Sequence, residues 1–222
     1  MGGKAIEEKK DFDENQTILE VMNSISHGIG VPVGIVFLIL LLLKELRLEN
    51  VWGTVGSAVY GACFILLFLA SCLYHAIPFP KAKSVLRVFD HSSIYVFIAG
   101  SFTPGIVLLT SGKFRIIFLS LIWALALFGI VFKIITRGNY DKWKNWSVAL
   151  YVAMGWLGLV FLYPIIKGRL WEFFLCIVLG GLIYTVGTLF YKTKKFKYHH
   201  FVWHIFVLAA AITQFVGYYC FL

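Results

Sequence analysis

The sequence predicts an all-α integral membrane protein, built as a bundle of seven transmembrane helices. Of its 222 residues, 60% are hydrophobic and only 14% are charged, whereas a soluble domain carries about 25% charged residues. The charged residues fall in short clusters that divide the chain into seven long apolar intervals. Each interval is near the roughly 17–25 residues that a membrane-spanning helix needs.

The seven intervals define the predicted helices in chain order. Pro78 and Pro80 are expected to end the second helix early, because proline cannot donate the helical hydrogen bond. For the same reason, Pro32, Pro104 and Pro164 are expected to kink or end the first, third and fifth helices. The intervals are Val21–Leu43, Asn50–Pro80, Ser92–Gly112, Ile116–Phe132, Asn145–Ile166, Phe173–Tyr191 and Tyr198–Leu222.

The chain divides into a polar tail, residues 1–20, and a transmembrane domain, residues 21–222. The tail has mixed charge and lacks the apolar core of a cleavable signal peptide, so the first helix is expected to act as its own insertion signal. In that helix, Gly30 and Gly34 have the small-xxx-small spacing that favours close helix contact.

The basic residues predict how the bundle is oriented. The net charge is +9, but the Lys and Arg residues lie between the apolar intervals, so we interpret them as a topology signal and expect no nucleic-acid partner. The tail and the loops after the second, fourth and sixth helices hold 14 of them, and the opposite side holds 6. The positive-inside rule then places the N-terminus in the cytoplasm and the C-terminus outside. We expect a multi-pass protein of the plasma membrane.

Candidate functional residues occur within or beside these apolar intervals, where ionisable groups are costly and indicate function. The predicted topology brings all of them to the cytoplasmic ends of the second, third and seventh helices, at one depth in the membrane. They are Ser71, His75, Asp90, His200 and His204.

The spacing of these residues favours a metal site. His200 and His204 are four residues apart, so both imidazoles lie on one helix face, as in the zinc-binding His-Glu-x-x-His helix. His75 adds a third nitrogen, and three protein ligands are typical of catalytic zinc, with water in the fourth position. The position of the Glu base in that motif holds Phe201 here, so Asp90 is the candidate base. Ser71, one turn from His75, is a candidate to hold a substrate carbonyl or the metal-bound water.

Structural explanations remain open for each residue. The histidines would serve as hydrogen-bonded contacts between helices, Asp90 as a cap that opens the third helix, and Ser71 as a partner of its own backbone. His91 and His199 point about 100° away from their neighbours in a helix and are expected to lie outside the metal ligands. His27, at the start of the first helix, is likewise not expected to be a ligand.

Four motifs in order along the chain resemble the haemolysin III family, whose wider group includes the adiponectin and progestin membrane receptors. The resemblance runs from about residue 17 to the end, and the short tail resembles the bacterial-type branch. The motifs are Glu20-x-x-Asn23-x-x-Ser26-His27-Gly28, Ser71-x-x-x-His75, Asp90-His91-Ser92-Ser93-Ile94-Tyr95 and His200-x-x-x-His204.

The resemblance implies a zinc ion bound by His75, His200 and His204 within a seven-helix bundle whose N-terminus is inside. It also implies that Asp90 orients or deprotonates the zinc-bound water and that Ser71 lies beside it. The receptor relatives resemble lipid amidases that hydrolyse ceramides.

Three functions are then expected to compete. The first is a zinc-dependent hydrolase of a lipid amide or ester, acting on membrane lipids in lipid homeostasis. The second is a cytolysin, the activity from which the family takes its name, although a chain of seven spans offers no soluble secreted form. The third is a membrane sensor or receptor in which zinc is structural.

Overall fold

The computed structural model describes residues 2–193 and 196–222, and in these residues it is helical without β-strands. Seven spans of the described chain are long and apolar enough to cross a membrane, which confirms the predicted fold class. The first span joins α1 to α2, and the fifth joins α6 to α7 through a 3₁₀ segment. The helices are α1 (Gly2–Gly28), α2 (Gly30–Arg47), α3 (Val51–Ala76), α4 (Pro80–Leu109), α5 (Gly112–Ile135), α6 (Tyr140–Trp156), α7 (Leu162–Gly168), α8 (Trp171–Lys192) and α9 (His199–Phe221), with the 3₁₀ segment at Leu157–Phe161.

Proline explains the interruptions of the helix in the first and fifth spans. The helices α1 and α2 meet at Ile29, three residues before Pro32, whose ring nitrogen cannot bond the carbonyl four residues earlier. The 3₁₀ segment of the fifth span likewise ends three residues before Pro164. Pro104, in contrast, lies inside α4 without ending it. The expected interruptions are therefore found in the first and fifth spans, while the third span continues past its proline.

The helix α3, which carries Ser71 and His75, has defined ends. The side chain of Asn50 caps its start by accepting a hydrogen bond of 3.0 Å from the backbone N–H of Gly53. The helix ends at Ala76, before Pro78, as the sequence predicts. His75 is thus held in the last turn of α3.

The start of α4 differs from the prediction. The sequence places the third helix from Ser92, but α4 begins at Pro80, a residue favoured in the first turn of a helix. The basic residues between these positions were assigned to a loop, yet the helix carries them at its polar end, where Lys83 pairs with Glu20 at 3.0 Å. Asp90 therefore lies about three turns inside α4, and the explanation that Asp90 caps this helix is wrong.

Three spans form the interior of the bundle. The apolar stretches of α3, α4 and α9 are 56%, 67% and 44% buried, whereas those of the other four spans are between 18% and 22% buried. Large apolar side chains on the outer spans are exposed, as expected of surfaces that face lipid. The predicted site residues all lie on α3, α4 and α9, which are the most buried of the described spans.

Gly30 and Gly34 allow α2 to pack closely against α3. A Cβ atom on Gly30 would lie 2.3 Å from the ring of Phe68, and one on Gly34 would lie 2.6 Å from the ring of Phe64. Both rings are fully buried. Phe68 also packs edge-on against His27, with 5.0 Å between the ring centroids. The predicted small-residue contact is confirmed, and it links helix packing to the site.

We predict that Gly30→Ala destabilises the protein by about 1–3 kcal/mol, because the added methyl group overpacks a buried ring that has no space to move. The matched control is Gly181→Ala in α8, where a Cβ atom would meet no atom within 4 Å. Thermal unfolding of both variants in the same detergent measures the difference. Equal midpoints for the two variants would contradict the proposed close packing.

Candidate metal centre

Three histidines from two interior helices converge at one end of the bundle. His75 comes from the last turn of α3, and His200 and His204 come from the first turns of α9. The Nε2 atom of His200 lies 3.3 Å from Nε2 of His75 and 3.2 Å from Nε2 of His204. One ligand atom from each residue lies within 4.8 Å of the others, so the group could hold a metal ion.

Glu20 determines how His75 presents its ring. Its Oε2 atom lies 2.6 Å from Nδ1 of His75. An ionised carboxylate can only accept hydrogen bonds, so Nδ1 carries the proton and donates it. In the neutral form of His75, the Nε2 atom then has a free lone pair, which is directed towards His200. A carboxylate behind a ligand histidine is a common arrangement at metal sites, where it fixes the ring orientation and raises the basicity of the ligand.

Ser26 has the same effect on His204. The Ser26 hydroxyl donates a hydrogen bond of 2.7 Å to the carbonyl of Asn23, so its oxygen is left to accept one from Nδ1 of His204 at 2.9 Å. The Asn23 carbonyl is a second acceptor for that nitrogen at 3.2 Å. His204 therefore also turns an unprotonated Nε2 towards His200. Lone pairs that face one another in this way repel unless a proton or a cation lies between them.

The other three histidines lie outside this group. His27 stacks on His204 with 3.6 Å between the ring centroids, and it is only 4% exposed. Neither ring nitrogen of His27 has a hydrogen-bond partner among the described residues. His91 and His199 direct Nδ1 to backbone carbonyls, at 2.7 Å and 3.2 Å. These contacts hold the rings within the bundle and away from the cluster.

Asp90 and Ser71 line a cavity together with His200 and His204. The Asp90 carboxyl is close enough to His75 and Ser71 to interact with both. Within the described part of the chain it makes no hydrogen bond to the three clustered histidines. The Ser71 hydroxyl is 1% exposed and lies beside the Asp90 carboxyl. Both predicted catalytic groups are therefore near the histidines, and they also interact with each other.

Two spaces meet at this site. The first, which we call the inner cavity, extends along α9 from His200 to Tyr218, about 27 Å at the rise of an α-helix. Its walls are mainly apolar and aromatic. The second, which we call the vestibule, lies at the polar end of the bundle and is lined by charged residues of α1, α4, α5 and α6. His91, Tyr191 and His200 line both spaces.

Sequence reasoning missed the roles of Glu20 and Ser26. Both belong to a motif that resembles the family, but that likeness did not show which side chains they contact. Their spacing could have indicated these roles, because Glu20, Asn23 and Ser26 recur every three residues, as residues on one helix face do. The prediction of a polar tail up to residue 20 hid this face, which the structure places in α1.

The fold and the histidine group define the class: a multi-pass membrane protein with three imidazoles that could hold a metal ion. The family described as haemolysin-III related matches residues 15–215, and the chain belongs to this family. This confirms the resemblance seen in the sequence motifs.

Curated relatives extend the comparison. The chain is 38% identical to the Hemolysin-3 homolog of Bacillus subtilis (strain 168) over 203 residues, which cover 90% of this chain and 94% of that protein. It is 35% identical to Hemolysin-3 of Bacillus cereus over 196 residues, with 88% of each chain covered. It is 26% identical to the monocyte to macrophage differentiation factor of Homo sapiens over 173 residues, which cover 75% of this chain and 70% of that protein.

We predict that the purified protein binds about one divalent transition-metal ion and that His200→Ala or His204→Ala abolishes this binding, because each removes one of three ligands. The matched control is His199→Ala, an adjacent histidine on the same helix, which should keep its metal. Elemental analysis of the detergent-purified chains measures the metal content. Wild-type content in both His200→Ala and His204→Ala would contradict the site.

We also predict that Glu20→Ala weakens metal affinity about 10–100-fold, because His75 loses the acceptor that orients its ring. Glu20→Gln should lose less, since its amide oxygen still accepts from Nδ1. Lys83→Met is the control, because it removes the other partner of Glu20 and leaves the bond to His75. Competition titration with a metal chelator measures all three affinities. A larger loss in Lys83→Met than in Glu20→Ala would show that the ion pair, rather than the bond to His75, matters.

Proposed function

We propose that the protein is a zinc-dependent hydrolase that cleaves an amide or ester bond of a membrane lipid, in the manner of a ceramidase, and that it acts in membrane lipid homeostasis. The observation that carries this proposal is the position of the three converging imidazoles at the end of an apolar cavity. A metal centre beside a long apolar space is suited to a substrate that has one reactive polar bond and one hydrocarbon chain.

The donor set fits zinc. Imidazole nitrogens are common zinc ligands, and bonds of about 2.0–2.1 Å in a tetrahedron place two such nitrogens about 3.3–3.4 Å apart. Two of the three nitrogen separations here, at 3.3 Å and 3.2 Å, match this spacing, and the third lies within 4.8 Å. Three protein ligands leave a fourth position for water or substrate. When bound, zinc would supply a water molecule acidified to a pKa of about 7 and would polarise a carbonyl group.

Asp90 and Ser71 provide the groups that the hydrolytic step needs. We propose that the Asp90 carboxylate accepts a hydrogen bond from the attacking water and takes its proton, as a general base does. Ser71 Oγ, which lies beside the Asp90 carboxyl, would donate a hydrogen bond to the carbonyl oxygen of the substrate. Asp90 would then return the proton to the leaving amine or alcohol.

The inner cavity would hold the hydrocarbon chain of the substrate. It extends between the spans, so a lipid chain stays in apolar surroundings as it enters. Gly155 and Gly181 line this cavity and leave space for such a chain, because a Cβ atom on either would meet no atom within 4 Å. We infer that the histidine end faces the cytoplasm, because the loops and tail on that side carry 14 of the 20 Lys and Arg residues.

Two other functions compete with hydrolysis. A sensor with structural zinc would bind metal and lipid without converting the lipid. The names of the two bacterial relatives favour lysis of cells as a second candidate. We propose that lysis, where it occurs, follows from altered membrane lipids, because seven apolar spans keep the chain in its own membrane.

We predict that Asp90→Asn keeps its metal but hydrolyses a long-chain ceramide at least about 100-fold more slowly, because the amide cannot accept the proton of the attacking water. Glu172→Gln, in the first turn of α8, is the control for removal of a carboxylate. Mass spectrometry of released fatty acid from metal-loaded protein gives both rates.

Equal turnover in Asp90→Asn and wild type would remove Asp90 from the mechanism. Fully metal-loaded wild type that hydrolyses no lipid amide or ester in a panel would contradict the hydrolase and favour the sensor.

A further inference from the structure

The vestibule carries an excess of positive charge. Among its described lining residues, four are cations and one is an acid, Glu20. Glu20 is already engaged, since Oε1 pairs with Lys83 at 3.0 Å and Oε2 accepts from His75. The vestibule cations are Arg87, Lys133, Lys144 and Lys197. An anion that enters this space would therefore find little competition from the protein's own carboxylates.

Lys133 is the most unusual of these cations. It lies in the last turn of α5 and is 2% exposed. Its Nζ atom is near the rings of Tyr140 and Tyr151, at 5.5 Å and 5.8 Å from their centroids. In the part of the chain that the structure describes, it makes no hydrogen bond or ion pair. A buried ammonium group is costly unless an anion compensates it.

Two further hydrogen-bond donors near Lys133 also lack partners. The Arg87 side chain lies over the same Tyr140 ring, with Cζ 4.2 Å from its centroid. The buried Nε of Arg87 and the buried hydroxyl of Tyr140 both have no hydrogen-bond partner among the described residues. Burial raises the pKa of Tyr140 above its ordinary value, so its hydroxyl keeps its proton at neutral pH and remains a donor. Two cations therefore lie against the Tyr140 ring, and the hydroxyl of that ring is a third unused donor.

One acidic group, Asp90, interacts electrostatically with both Lys133 and Arg87. One carboxylate leaves a net positive charge when it faces two cations. The positive-inside rule accounts for basic residues in loops that face water. It does not account for a lysine that is almost fully buried.

We propose that the vestibule binds a phosphate group through Lys133, Arg87 and the Tyr140 hydroxyl, beside the three-histidine group. A phosphate has several acceptor oxygens, which match several donors, and arginine and lysine both bind phosphate well. The same phosphate chemistry is offered by a phospholipid headgroup and by free phosphate. The site goes beyond the proposed hydrolase, because it needs neither a metal ion nor turnover.

The test uses the full chain, purified in neutral detergent and stripped of metal with a chelator, so that phosphate cannot bind to a metal ion. Calorimetric titration with inorganic phosphate measures the soluble form of the ligand. Enrichment of phosphatidic acid over phosphatidylcholine around the protein in mixed nanodiscs measures the lipid form. Binding in either arm that depends on the three donors supports the site, and the responding arm identifies the source of the phosphate.

We expect Lys133→Met and Arg87→Gln each to weaken phosphate binding about tenfold or more, because each removes a charged donor. Tyr140→Phe keeps the ring under both cations and should cause a smaller loss. Lys133→Arg keeps the charge and should bind nearly as wild type. Lys142→Met is the control, since it removes an exposed cation outside the vestibule.

The proposal is overturned if wild type binds neither form of phosphate, or if Arg87→Gln and Tyr140→Phe bind as tightly as Lys142→Met. These two variants decide the result if Lys133→Met fails to fold. Because all measurements use metal-free protein, a negative result leaves the proposed hydrolase untouched. Conversely, loss of turnover in Asp90→Asn does not bear on phosphate binding.

Discussion

The candidate metal centre depends on two hydrogen bonds that α1 makes to imidazole rings of other helices. Water is scarce inside a membrane bundle, so a buried ring nitrogen is costly unless it finds a partner within the protein. Glu20 and Ser26 accept from the Nδ1 atoms of His75 and His204. In the neutral rings, the Nε2 lone pairs of both residues are then directed towards His200. The ligand geometry thus comes from a helix that contributes no ligand of its own.

The packing of the bundle supports these hydrogen bonds. The ring of Phe68 lies against Gly30 on one side and His27 on the other, and His27 stacks on His204. A fully buried phenylalanine therefore connects the contact between α2 and α3 to a candidate ligand. The spans that carry these rings, α3, α4 and α9, are the most buried of the described chain. Rigid packing of this kind reduces the reorganisation that metal binding would otherwise require.

The sequence could predict features that depend on residues close to one another along the chain. Hydropathy located seven spans, and a spacing of four placed His200 and His204 on one face, because both signals are local. It could not predict which helices meet, so the bond from Glu20 to a histidine 55 positions away was missed. Local composition also misled at Lys133, which we counted as a loop residue that signals topology. The folded chain buries it against two tyrosines.

The arrangement of the two spaces constrains what kind of molecule the site would accept. His200 lines both the inner cavity, which is apolar, and the vestibule, which is cationic. A lipid whose chain occupied the inner cavity and whose phosphate occupied the vestibule would have its linking bonds beside the three imidazoles. A neutral lipid would fill the inner cavity alone and leave Asp90 as the one carboxylate that faces both Lys133 and Arg87. Taken together, the two proposals allow one anionic lipid to occupy both spaces, or a neutral lipid and a separate phosphate to occupy one space each.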